Sequence, residues 1–148
     1  MKKYFFILII FILAMGFLIT LPRGDLTPES IKYVKVGGQR VRVDLAISAE
    51  AQAKGLGGRT GLAEGEGMLF VFDIPAKRQF WMEGMKFSID MIWITDNMQV
   101  VHIDKNVSPE SYPARFGPDI YIKYVLEVPA GFSDKNNLEV GDSVVFSD

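Results

Sequence analysis

Gly67-Met-Leu-Phe-Val-Phe-Asp-Ile-Pro-Ala-Lys-Arg-Gln-Phe-Trp-Met-Glu-Gly-Met-Lys-Phe-Ser-Ile-Asp-Met-Ile-Trp-Ile94 is the stretch on which the fold turns. Two dense apolar runs and both tryptophans, Trp81 and Trp93, surround a polar elbow. The second run, Ile89 to Ile94, is almost continuously apolar, as expected of a strand covered on both faces. Asp90 lies inside it. An unpaired ionised carboxylate in such a place costs several kcal/mol or stays protonated, so Asp90 needs a partner. It is either an acid, base or ligand anchor, or a structural pin. As a pin it accepts hydrogen bonds from amides of a glycine loop or pairs with Arg59.

Upstream of this block, Ile31–Val36, Gly37-Gly38 and Arg40–Ile47 predict a hairpin, because the glycine pair tolerates the positive φ of a tight turn. Val41, Val43, Leu45 and Ile47 alternate with Arg40, Arg42, Asp44 and Ala46, giving one buried face and one wet face. Ser48 is a helix cap for Ala49–Lys54, and Gly55 is its stop. Further strands are expected at 68–72, 78–82, 89–95, 99–103, 120–128 and 143–146, with Asp96-Asn97 as a turn. Residues 106–118 read as a surface loop, and Phe132–Asn137 as one helical turn. Many short strands with one or two short helices predict a mainly β, small compact barrel- or sandwich-like domain over residues 31–148.

The amino terminus carries a separate message. Lys2 and Lys3 precede Tyr4–Leu21, eighteen residues without a charge. As a helix that run spans roughly 27 Å, close to the hydrocarbon thickness of a bilayer. Residues 1–24 are therefore expected to be an uncleaved single-pass anchor or a removed signal peptide, followed by a tether at 25–30. Either form puts the domain outside the cytoplasm, on the cell membrane or free in the periplasm or medium. Without Lys2, Lys3 and Arg23, the 16 basic residues become 13 against 18 acidic ones, a net charge of −5. That balance argues against nucleic acid as a partner. With no cysteine and one histidine, His102, disulfides, thiol chemistry and ordinary zinc sites are excluded. Asp104-Lys-Asn106 lacks the further ligands of a calcium loop. No metal and no cofactor is expected.

Three other residues join Asp90 as site candidates. Glu127 sits in Tyr121–Val128, where alternation places it on the face of Tyr121, Lys123 and Val125. If that face meets Asp90, two carboxylates converge in the arrangement used for glycoside hydrolysis. Otherwise Glu127 faces solvent. Arg59, on the loop Gly55-Leu-Gly-Gly-Arg-Thr-Gly61, suits a carboxylate or phosphate, or forms an internal salt bridge to Asp90 or Glu127. The loop lacks the Gly-Lys-Ser/Thr of a phosphate loop and misses the dinucleotide spacing by one. Trp81 faces away from Phe80 and Met82, either to stack on a ligand or to cover the sheet.

Arg59-Thr-Gly-Leu62, Gly67–Phe72, Phe80-Trp-Met82, Ile89–Ile94, Tyr124-Val-Leu-Glu-Val-Pro-Ala-Gly131 and Gly141-Asp-Ser-Val144 stand in an order that resembles the domain-of-unknown-function 192 family. The resemblance covers roughly residues 31–147. It implies a small, mainly β, often exported prokaryotic domain, and no particular activity. The chain departs from that pattern at Glu83-Gly84-Met85, where Lys-Asn-Thr is common, and at Leu56-Gly57-Gly58, where Leu-Met is usual.

These observations support a membrane-anchored extracytoplasmic module of the cell envelope with a groove lined by Arg59, Trp81, Asp90 and Glu127. Its partner would be a small polar molecule, an envelope glycan or a protein. A hydrolase using Asp90 and Glu127 is the alternative, and an interaction protein without a pocket is the third reading.

Overall fold

The computed structural model describes residues 27–148. The expected anchor at 1–24 and the start of the tether lie outside them. Among the described residues, no helix is long and apolar enough to cross a membrane. Pro28–Ser30 forms a single 3-10 turn at the domain's entrance.

β1 (Tyr33–Val36) and β2 (Gln39–Ala46) form the expected hairpin, with Gly37 and Gly38 at φ +55° and +73°. The helix α1 (Ala49–Lys54) starts at Ser48, whose hydroxyl accepts the Ala51 N–H at 3.1 Å, and stops at Gly55, φ +49°. β3 (Glu66–Ala76), β4 (Ile89–Ile94), β5 (Val100–Val107) and β6 (Ile122–Pro129) follow. The one-turn helix α2 (Phe132–Lys135) and β7 (Val145–Ser147) end the chain.

All seven strands belong to one sheet in the order β5-β4-β6-β3-β2-β1-β7, so the molecule is a curled half-barrel and not a sandwich of two sheets. The outermost strands meet at one corner. Gly141 N–H donates to the Val100 carbonyl at 2.8 Å, Val100 N–H to Asp142 at 2.9 Å, and Val144 N–H to Met98 at 2.9 Å. These bonds satisfy backbone groups that two open edges would leave exposed. β2 and β3 run parallel, joined by α1 as a crossover. Gln52 of α1 ties helix to sheet: its Nε2 donates to the carbonyls of Ala46, Ile47 and Val71 at 2.9–3.3 Å.

Strands β3, β4 and β6 carry a core on each side. Inside the curl, Leu69, Val71, Ile92, Ile94, Leu126 and Val128 pack with the valines of β1 and β2. Outside it, Met68, Phe70, Met91, Trp93 and Val125 are covered by Leu56, Met82 and the partly buried Phe80. All six residues of β4 are therefore buried, as its apolar sequence requires. Each large side chain removed from water on the two faces contributes about 1.5–3 kcal/mol.

The segment 78–82, expected as a strand, is not one. Only Phe80 pairs, exchanging backbone hydrogen bonds of 2.9 and 2.8 Å with Phe116. β3, β4 and β6 already have strand neighbours on both edges, so this segment lies across their outer face instead. Its alternation is that of a cover: Phe80 packs edge-on against Phe70 at 4.7 Å and Trp93 at 5.2 Å. Residues 106–118 contain a 3-10 turn at Pro109–Ser111, and their end supplies Phe116 to that bridge.

Candidate functional site

Antiparallel pairing of β4 with β6 sets Asp90 opposite Val128 and Met91 opposite Glu127. Adjacent residues of a strand point to opposite faces, so Asp90 lies inside the curl and Glu127 outside it. The two carboxylates do not converge.

Asp90 is fully buried and fully engaged. Oδ1 accepts the N–H groups of Asn106 (2.8 Å) and Gly131 (3.2 Å), and Oδ2 accepts that of Ser133 (2.8 Å). It fastens the end of β5 and the start of α2 to β4. Three amide donors offset the desolvation of the charge and leave little capacity for a ligand.

Glu127 is the opposite case. Its residue is 5% exposed, and Oε2 has no hydrogen-bond partner among the described residues. Its neighbours on the outer face are Met68 of β3 and Met91 of β4, which offer no donor. Burial pushes its carboxyl up to about 8, so the acid is neutral at pH 7.

Glu127 lies at the edge of an open space. It lines a cavity of about 690 Å³ between α1 with its following loop, Phe70 and Phe72 of β3, and the covering segment 77–85. Phe80, Leu56 and Met85 complete the apolar wall, and Gln52, Lys54, Lys77, Gln79 and Glu83 supply polar groups. The volume is in the range of small-molecule sites, about 300–1,000 Å³.

Trp81 stands at the mouth, 43% exposed. Its indole N–H donates to Glu83 at 3.1 Å, and the Arg115 guanidinium lies 4.5 Å from its ring centre. It lines the cavity and stands outside both buried cores. Arg78, not singled out in the sequence, lines the same cavity. Its guanidinium lies 3.9 Å from the ring centre of Phe72, while its Nε–H is buried without a partner among the described residues. Gly117 allows this placement: a Cβ there would stand 2.6 Å from the Arg78 carbonyl and 2.8 Å from the Trp93 ring.

Arg59 lies beside the cavity, not in it. Its Nη1 meets Asp44 Oδ2 at 2.9 Å, with both side chains about half exposed, and it touches neither Asp90 nor Glu127. Sequence spacing could not identify Asp44, which the parallel β2–β3 pairing brings alongside Met68. His102 bonds Asp104 at 3.1 Å, and Asp104 also accepts the Trp93 indole N–H at 2.8 Å. Among the described residues, no three His, Cys, Asp or Glu side chains gather as metal ligands.

Residues 32–146 match the family described as Uncharacterized ACR, domain of unknown function 192. The chain belongs to that family. A Novosphingobium aromaticivorans DSM 12444 protein of unknown function is similar in structure, with a TM-score of 0.74 and 29% identity. That match covers 86% of this chain and 91% of the other. A protein proposed as a transcription regulator, from Sinorhizobium meliloti 1021, matches with a TM-score of 0.72 and 26% identity. Here 77% of this chain and 90% of the other are covered. No curated protein matches.

The two departures from the domain-of-unknown-function 192 pattern meet beside the cavity. Gly58 N–H donates to the Gly84 carbonyl at 3.0 Å. A Cβ on Gly57 would stand 2.9 Å from the Lys54 carbonyl and 3.6 Å from that of Glu83. The tight contact is with the end of α1, so Gly57 serves the turn that follows the helix, and the 3.0 Å bond joins the two segments.

Proposed function

We propose that this domain is a small-molecule-binding module, held outside the cytoplasm by residues 4–21, whose ligand enters the cavity above Glu127. One observation carries the reading: Glu127, whose buried Oε2 has no partner among the described residues, is one of the residues lining a cavity large enough for a ligand. A group of that kind costs about 1–3 kcal/mol unless something else satisfies it. Phe70, Phe80 and Trp81 add aromatic surface for the body of the ligand. The hydrolase alternative loses its acid–base pair, because Asp90 faces the other core with its oxygens engaged. An acidic domain also gives no support to nucleic acid as the partner.

The test is ligand-observed NMR on the full chain in detergent against a library of small polar and aromatic compounds. The expected result is a set of binders that Glu127→Met no longer retains. No binders, or binders indifferent to that substitution, would contradict the reading. Placement outside the cytoplasm is tested separately by protease accessibility of the domain in spheroplasts. Protection from protease would overturn it.

A further inference from the structure

The charge around the cavity narrows the chemistry of its ligand, an inference resting on the binding role proposed above. The domain as a whole is acidic, yet the cavity is not. Lys54, Lys77 and Arg78 line it, with Glu83 and Glu127 as its acids. The adjoining depression adds Arg115 and Asp119. Asp119 is engaged by Lys77 at 2.7 Å, and Glu83 accepts the Trp81 indole N–H. Glu127, neutral at pH 7, adds no negative charge. Four cations thus face two ionised acids in a chain whose overall charge has the other sign. Such a local reversal concentrates anions at a cleft.

The unsatisfied groups agree in kind. Arg78 has a buried Nε–H donor with no partner among the described residues. A neutral Glu127 carries an O–H that can also donate. Both line one cavity, and the Phe72 ring under Arg78 is part of its wall. Two donors call for an acceptor, and an anionic acceptor makes both bonds charge-assisted. A ligand ammonium would face Lys54, Lys77 and Arg78 with only donors of its own.

We propose that the cavity binds a small organic acid, its carboxylate held between the Arg78 guanidinium and the Glu127 carboxyl and its aromatic or apolar body against Phe70, Phe80 and Trp81. Binding is then pH-gated. When Glu127 loses its proton, a second carboxylate stands against that of the ligand and the two repel. The charged groups around Glu127 are Lys54 on α1 and Lys77, Arg78 and Glu83 on the covering segment. Farther along the same face lie Asp44, beyond Met68, and Asp104, beyond Met91.

The experiment titrates the full chain in detergent with phenylacetate, phenethylamine and 2-phenylethanol, which share a phenyl body, at pH 6 and pH 9.5. Phenylacetate should bind best at pH 6 and lose about tenfold or more in affinity at pH 9.5. Glu127→Gln, which keeps a donor but cannot ionise, should retain phenylacetate binding at both pH values. Arg78→Met should weaken it about tenfold at pH 6. Stronger binding of the amine or the alcohol, lost in Glu127→Met, would overturn the organic-acid assignment while leaving the binding role standing. An identical pH response in wild type and Glu127→Gln would also overturn it. No binding of any probe would count against both.

Discussion

Asp90 and Glu127 occupy neighbouring strands one residue out of register, both are buried, and they have opposite fates. Asp90 faces the inner core and receives three amide hydrogen bonds. Glu127 faces the outer core beside two methionines and leaves an oxygen unsatisfied. Burial by itself therefore does not mark a site. A buried acid that is fully satisfied holds the fold together, and one left unsatisfied beside a cavity is the group on which the proposed binding role rests.

The largest expected effect falls on the satisfied acid. Asp90→Asn removes the charge and turns an amide NH2 toward backbone N–H groups. It should cost about 2–4 kcal/mol in chemical unfolding. Hydrogen exchange should accelerate first at Asn106, Gly131 and Ser133. An unchanged unfolding midpoint would refute the pinning role.

Glu127→Met should do the reverse. An apolar side chain of similar length relieves the buried carboxyl and should raise stability by about 1–3 kcal/mol at pH 7. A loss of comparable size would mean that Glu127 is bonded in the native state. The pH dependence has a definite sign. The folded acid titrates at about 8 against 4.5 as its ordinary value, so the folded chain holds the proton longer than the unfolded one. Its contribution to stability is complete below about 4.5 and is lost as pH rises toward 8, by at most about 1.4 kcal/mol per pH unit. Subtracting the urea-unfolding profile of Glu127→Gln from that of the wild type should isolate this slope between pH 5 and pH 8.

The smallest effect is expected at Arg59. Its partner Asp44 is more than half exposed, and surface ion pairs contribute about 0–1 kcal/mol. Arg59→Ala should leave both stability and ligand binding close to wild type. A large loss of binding would extend the site beyond the cavity.

The difference between the two acids was half legible in the sequence. The apolar run around Asp90 requires a partner, and backbone amides supply it, but they come from Asn106, Gly131 and Ser133 and not from a glycine loop or Arg59. Alternation correctly placed Glu127 with Val125, but its neighbours depend on which strands flank β6, and no local pattern states that. Arg59 pairs with neither of the acids expected for it, because the loop after α1 returns along β2 and sets it beside Asp44. The cap at Ser48 and the stop at Gly55 were readable because helix ends are set by adjacent residues. Arg78, between Lys77 and Gln79, reads as solvated in the sequence, and only the fold of 78–82 across the sheet lays it on Phe72. The same alternation that predicted a strand there also serves a cover, because both bury every second side chain.

The most direct measurement is the titration of the Glu127 side-chain carboxyl by carbon-13 NMR, assigned by its absence in Glu127→Gln. Glu127 should titrate near pH 8 and move higher when phenylacetate is added, because the bound carboxylate favours the protonated acid. A midpoint near 4.5, unmoved by the ligand, would contradict the picture of a neutral buried acid held open for a ligand.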